Sequence, residues 1–266
     1  MENKKLELLK KGISEKKSAV IAFSGGVDSS VLASIAFNEL DNKATAVTIK
    51  THSFPERELK CAKKVAEEIG IEHKIVYLNE LEFPLISENS PERCYHCKKE
   101  ILRLLTSVKD ELGFNVILEG SNASDSDSYR PGKRAIEEIG DKVYSPFVEF
   151  GVRKDEIRQI ASLLGLSVAD KRPSPCLASR FPYGDALTER SIKRVELAED
   201  FLISRGFQEL RVRDHKGIAR IEVPSADMDA LLAMKNDIVS HMKKIGFSYV
   251  TLDMEGFRSG SMDEVL

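Results

Sequence analysis

The chain has 266 residues, 42% apolar and 31% charged, enough for one large domain or for a large and a small one, and far from the composition of disordered or collagenous chains. Forty Lys and Arg against 43 Asp and Glu leave a formal net charge of −3, which argues against a surface that coats nucleic acid through charge alone. No run approaches the roughly 18 apolar residues of a membrane span, and MENKKLELLKKGISEKK lacks the apolar stretch of a secretory signal, so the expectation is a cytoplasmic chain with neither membrane nor nucleic acid as partner.

The first two-thirds alternates short β-type runs with helical patterns, which predicts an α/β domain built on a parallel sheet. The strands are expected at Ala19–Phe23, Thr45–Ile49, His73–Leu78, Val116–Leu118 and Lys142–Tyr144. Between and after them, Leu59, Ala62, Val65, Ala66 and Ile69 keep helical spacing, as do Ile101, Leu104, Leu105, Val108 and Leu112, and then Ile157, Ile160, Ala161 and Leu164. The Pro-rich stretch KRPSPCLASRFPYG (171–184) breaks this pattern and marks a boundary between domains at 1–172 and 173–266. Beyond it the pattern predicts helices near Thr188–Ser204 and Ala226–Ile245 and strands near Glu209–Val212, Ile218–Val223 and Ser248–Leu252, a smaller α+β domain.

Directly after the first strand comes Ser24-Gly25-Gly26-Val27-Asp28-Ser29-Ser30, leading into the apolar run Val31–Leu40. Paired glycines let the backbone turn and approach an anion, Ser29 and Ser30 offer hydroxyls, and the following helix aims its N–H groups at phosphate. The same residue types also make an ordinary turn and N-cap. The lysine of a Walker loop is missing. SGGVDSS resembles the pyrophosphate loop (PP-loop) of the N-type ATP pyrophosphatases. That resemblance implies a Rossmann-like sheet of the adenine-nucleotide α-hydrolase type, with ATP held by Ser24, Gly25, Gly26, Asp28, Ser29 and Ser30. It also implies attack on the α-phosphate, and Mg2+ on the phosphates near Asp28.

Four cysteines in a reducing compartment read as metal or catalytic thiols before they read as disulfides. Cys94 and Cys97 form C-x-x-C at the start of a helix, beside Arg93, Lys98 and Lys99, a pattern open to zinc, iron–sulfur and redox-dithiol roles. Cys176, between prolines in the irregular stretch, is the natural third ligand; three thiolates would leave one corner of a 4Fe-4S cluster open. Cys61 lies beside the apolar stripe of the second helix and reads as packing.

Six stretches together, SGGVDSS, ERCYHCKK, DSYRPG, CLASRFPYG, RVRDHKGIARIEVP and YVTLDMEGFRSG, resemble the LarE-type sulfur transferases, which are pyridinium-3,5-bisthiocarboxylic acid mononucleotide synthases of nickel-pincer cofactor biosynthesis in lactate racemase maturation. The resemblance implies that ATP adenylates a carboxylate of a small-molecule pyridinium nucleotide and that sulfur then displaces AMP. Some members sacrifice the sulfur of a lone cysteine at the position of Cys176. Others carry three cysteines and a 4Fe-4S cluster, and the presence of Cys94 and Cys97 beside Cys176 implies the cluster type, with a hydrosulfide on the open iron replenished by sulfide or a sulfur-donating system. It further implies that Arg180, Arg211 and Arg213 bind the substrate phosphate, with Glu199 and Asp229 completing the pocket, and a homo-oligomer, trimer or hexamer, built through the tail. Asp125, Asp127 and Arg130 sit in the loop after the fourth strand, which reads equally as reaching the nucleotide edge or as a hydrated surface loop. The competing readings are an iron–sulfur tRNA thiolase, an amide-forming ligase of the NAD or GMP synthetase kind, and a module that only senses ATP.

Overall fold

A computed structural model describes residues 2–124, 132–258, 261 and 262; Asp125, Asp127 and Arg130 lie outside the described residues. The chain divides into two compact units, Met1–Leu78 with Cys94–Ser174, and Asn79–Arg93 with Pro175–Leu266. The helices in chain order are α1 (Glu2–Ser14), α2 (Val27–Leu40), α3 (Glu56–Ile69), α4 (Pro84–Ser87), α5 (Arg93–Glu111), α6 (Gly132–Ile139), α7 (Pro146–Glu149), α8 (Lys154–Leu163), α9 (Glu189–Ser204), α10 (Met228–Ala233) and α11 (Lys235–Lys244).

The first unit holds a five-stranded sheet of β1 (Ala19–Ala22), β2 (Ala44–Lys50), β3 (Glu72–Tyr77), β4 (Val116–Leu118) and β5 (Val143–Tyr144), in the order β3-β2-β1-β4-β5. Every pairing is parallel, so helices must cover both faces, and the central strands read as continuous apolar runs because both of their faces are buried. The α/β expectation therefore holds, with strand ends within a residue or two of those read from sequence. α2, whose first turn is the PP-loop, is buried on nearly every side; Ala33, Ala36 and Ser34 keep its backbone close to its neighbours. A helix fixed on all sides holds its N-terminus in place, and that is where an anion site needs rigidity.

α1 has no counterpart among the elements expected from sequence, where the first residues are noted only for lacking the apolar stretch of a secretory signal. Its Leu6, Leu9 and Ile13 keep helical spacing and pack into the core of the sheet unit. Gly12 permits that approach: a Cβ there would stand 2.6 Å from the Tyr144 hydroxyl.

In the second unit β6 (Arg211–His215) and β7 (Ile218–Glu222) form an antiparallel hairpin, and β8 (Tyr249–Leu252) runs parallel to β7. Lys216 and Gly217, both with positive φ, make the two-residue turn, which places β6 two residues later than the sequence pattern does. The single helix expected over Ala226–Ile245 is two, α10 and α11, broken at Met234. Leu231, Ile238 and Met242 remain on one buried face across the break, so periodicity alone does not reveal it. Asn79–Arg93 joins this unit through backbone bonds from Leu187 to Ser87 (2.7 Å) and Gly184 to Asn89 (3.0 Å), and through the Asn89 side-chain amide to the Pro182 carbonyl (2.7 Å).

Candidate active site

The strand order reverses direction at β1, whose neighbours β2 and β4 lead away on opposite sides, and ligands of open parallel sheets bind beyond the strand ends at such a point. A cavity of about 290 Å³ lies there. Ser24, Gly26, Asp28 and Ser29 line it from the loop after β1, Glu119 and Gly120 from the end of β4, and Val47, Ile49 and Phe54 supply an apolar side of the kind an aromatic base fills.

The loop is organised internally before any ligand arrives. The Ser29 hydroxyl donates to the Gly26 carbonyl (3.1 Å) and the Ser24 amide donates to Ser29 Oγ (3.2 Å), while among the described residues the Gly26 amide has only a long contact to Ser24 Oγ (3.4 Å). Asp28 pairs through Oδ2 with the Lys154 ammonium, and its Oδ1 is buried with no hydrogen-bond partner among the described residues. Ser30 is wholly buried beneath the loop, and its hydroxyl likewise has no partner among the described residues. An orphaned carboxylate oxygen beside a phosphate site fits a hard divalent cation such as Mg2+.

Glu119, absent from the sequence expectations, and Lys98, expected there only as a cation beside the C-x-x-C, both line this cavity. Glu119 is buried and accepts from Lys98 Nζ (3.1 Å), the Ser121 amide (2.9 Å) and the Ser145 hydroxyl (3.3 Å). Burial alone would raise its pKa, but the Lys98 charge and the Ser121 bonds hold it below its ordinary value of 4.5. A carboxylate with a depressed folded pKa adds stability that is present above the unfolded value and is lost as pH falls through the folded one. Glu119→Gln is therefore expected to lower the melting temperature at pH 7, with the gap to wild type closing as melts are taken at successively lower pH below 4.5. A gap constant with pH would remove charge from the explanation. The sequence signal was the Glu-Gly pair directly after the fourth strand, at the carboxyl edge of the sheet.

Cys94 and Cys97 occupy the first turn of α5, three residues apart and so on one face. Cys94 is exposed and Cys97 half-buried. α6 packs on that turn: Gly132 comes close to the Cys94 carbonyl, the Tyr95 hydroxyl donates to Glu138 (2.7 Å), and Arg134 stacks 3.9 Å over the Tyr95 ring. His96, between the two cysteines, is half-buried in this helix with its ring edge-on to Tyr95. None of the four cysteines is in a disulfide, and no group of three His, Cys, Asp or Glu side chains with metal-binding geometry occurs among the described residues.

In the second unit Cys176 is exposed just before the turn Leu177–Arg180, and its carbonyl accepts from Arg180 Nη1 (3.2 Å) and the Ser179 hydroxyl (2.9 Å). Arg180 is 1% exposed and forms a two-point pair with Glu199 (2.8 and 3.2 Å). Arg213 pairs in the same way with the fully buried Glu222 (3.0 and 2.8 Å) and reaches the Ser179 carbonyl (2.8 Å). Two of the three arginines read as phosphate ligands are thus already matched to carboxylates, and Arg180 also holds the backbone of Cys176. Arg211 has no carboxylate partner among the described residues. Burial, then the neighbouring Arg180 and Arg213 charges, bring its pKa down to about 10. A guanidinium in that position gains from a bound anion. Asp229 stands exposed in the first turn of α10.

Removing one partner of a buried ion pair strands the other. Arg180→Met is expected to cost about 3–5 kcal/mol of stability in urea unfolding, and the double variant with Glu199→Met to recover most of it. Equal losses in single and double variants would show that packing, not charge, matters at this position.

An asparagine synthase family model matches residues 12–97, the part that carries the loop and the C-x-x-C. The pyridinium-3,5-bisthiocarboxylic acid mononucleotide synthase of Lactiplantibacillus plantarum is 37% identical over 247 residues, 92% of this chain and 89% of that protein. The chain belongs to that LarE-type family. It is accordingly an ATP-dependent sulfur transferase of the PP-loop superfamily with the adenine-nucleotide α-hydrolase fold. An uncharacterized protein of Synechocystis sp. is 40% identical over 264 residues, 98% of both chains. A tRNA-specific 2-thiouridylase of Beijerinckia indica is 27% identical over 210 residues, 65% of this chain but 48% of that protein. The LarE-type likeness thus runs through both units, whereas the thiouridylase likeness is partial. No described helix is long and apolar enough to cross a membrane.

Proposed function

We propose that the protein adenylates a carboxylate of a pyridinium dicarboxylate mononucleotide and converts it to a thiocarboxylate. The observation that carries this reading is the cavity at the reversal point of the sheet, lined by the PP-loop, in a chain of the LarE-type family. A substrate carboxylate oxygen attacks the α-phosphorus of ATP, the bond to the β-phosphate oxygen breaks, and pyrophosphate leaves. Hydrosulfide then attacks the acyl carbon, the carbon–oxygen bond to AMP breaks, and AMP departs with the pair. The first step is needed because a free carboxylate has no good leaving group.

In this reading the Gly26 amide and the Ser24 and Ser29 hydroxyls hold the departing pyrophosphate. Asp28 Oδ1 orients Mg2+ on the phosphates, with Lys154 keeping the carboxylate in place. Arg211 takes the substrate phosphate, while Arg180 and Arg213, each fixed by its carboxylate partner Glu199 or Glu222, add positive potential beside it. Asp229 completes the substrate pocket in this reading. Cys94, Cys97 and Cys176 supply three thiol ligands, none tied up in a disulfide, and the i, i+3 spacing of the first two suits one side of a 4Fe-4S cluster. Held by these three thiols, such a cluster would supply the sulfide for the transfer. The sulfide comes from a separate sulfur-donating system, and the functional unit is a homo-oligomer in the cytoplasm.

Pyrophosphate release is the test. Turnover is expected with ATP, sulfide and the pyridinium dicarboxylate mononucleotide. No turnover with that substrate, together with turnover on unmodified tRNA, would replace this reading with the thiolase one.

A further inference from the structure

We infer that Lys171 is a positioning residue for ATP: it latches the Gly25–Gly26 peptide of the PP-loop so that the Gly26 amide faces the phosphates. This rests on the loop being the ATP site. Gly25 has φ +67, and a residue without Cβ passes readily between peptide orientations. A loop whose work is to aim amides therefore needs something to fix them.

Lys171 Nζ donates to the Gly25 carbonyl (2.9 Å). In a planar trans peptide the carbonyl and the next N–H point opposite ways, so a cation on the Gly25 oxygen turns the Gly26 N–H to the other side. Among the described residues that N–H has only the 3.4 Å contact to Ser24 Oγ, and Gly26 lines the cavity. The ammonium is itself held from two further directions, by Glu58 (2.7 Å) and by the Cys61 sulfur (3.0 Å). Cys61 in turn directs its thiol at the same Gly25 carbonyl (3.8 Å). Burial works against the Lys171 charge, but the hydrogen bonds to Cys61 and Glu58 keep its pKa above the usual lysine value. The ammonium thus stays charged at neutral pH. Arg158 fixes the stretch before it, donating to the Ala169 and Lys171 carbonyls (2.6 and 2.8 Å). Cys61, which reads from sequence as packing alone, thereby acquires a second task.

The test is calorimetric ATP binding and the 15N–1H resonance of the Gly26 amide in wild type, Lys171→Met and Lys171→Arg. Lys171→Met is expected to weaken ATP binding about ten- to a hundredfold, the worth of a hydrogen bond to a charged group, and to shift the Gly26 resonance in the ligand-free protein. Lys171→Arg is expected to restore most of both, and unchanged melting temperatures separate the effect from misfolding. Should Lys171→Met melt early, Glu58→Gln, which loosens the ammonium without removing it, is expected to give a smaller change in the same direction. Wild-type ATP affinity and an unmoved Gly26 resonance in Lys171→Met would overturn the latch. Wild type that binds ATP but does not turn over the pyridinium substrate would overturn the proposed function and leave the latch standing; wild type that binds no ATP would overturn both.

Discussion

Cys176→Ala is expected to abolish thiocarboxylate formation, by about a thousandfold or more, equivalent to about 4 kcal/mol of barrier, while ATP binding and melting temperature stay at wild-type values. The separation follows from where the residue sits. Cys176 is exposed, and the turn it precedes is held by its backbone carbonyl, which Arg180 and Ser179 grip whatever the side chain. Exposed substitutions away from such grips change stability by about 0.5 kcal/mol or less. Cys94→Ala and Cys97→Ala divide the two sulfur routes. If the three thiols hold a cluster, each single variant loses iron after anaerobic reconstitution and loses multiple turnover. If Cys176 gives up its own sulfur, Cys94→Ala keeps full activity, wild type stops after one turnover, and the spent protein is lighter by hydrogen sulfide.

The second large effect concerns the two loop glycines, which look interchangeable in sequence and are not. A Cβ on Gly25 would stand 2.6 Å from Ala62 Cα and 2.8 Å from Ala62 N, backbone of α3 that has no room to retreat, at φ +67. Steric overpacking and a left-handed backbone together cost about 2–5 kcal/mol. Gly25→Ala is therefore expected to lower the melting temperature by roughly 5–15 °C and to remove ATP binding. Among the described residues a Cβ on Gly26 would meet only Ser24 Oγ at 3.3 Å, at the helix N-cap where φ is −84. Gly26→Ala should melt near wild type and still bind ATP poorly, because its methyl enters the space the phosphates need. Equal melting temperatures for the two variants would mean that the packing of α3 against the loop is not what demands Gly25.

The loop was legible because its chemistry is local: a buried strand, two glycines, hydroxyls and a helix start within twelve residues of chain. The parallel sheet was legible for a related reason, since strands covered on both faces leave short apolar runs that survive without long-range information. What escaped was set by contacts distant in sequence. Lys171 lies 146 residues from Gly25, and Lys154 lies 126 from Asp28; nothing in KRPSPC or in VRKDE announces either partner. Arg180 and Arg213 were legible as cations, but their pairing with Glu199 and Glu222 depends on α9 packing on the turn Leu177–Arg180 and on β7 lying beside β6, which residue spacing does not encode. Asn79–Arg93 carries no compositional mark that it packs with the second unit. α10 and α11 were merged because the break at Met234 leaves their apolar faces in phase.

The account stands most directly on whether a substrate carboxylate is adenylated. With 18O in the carboxylates of the pyridinium mononucleotide, single turnover in ATP and sulfide should place one labelled oxygen in AMP for each thiocarboxylate formed, because the oxygen that attacks the α-phosphorus leaves with AMP when sulfur displaces it. Unlabelled AMP accompanying thiocarboxylate, or ADP and phosphate in place of AMP and pyrophosphate, would contradict it.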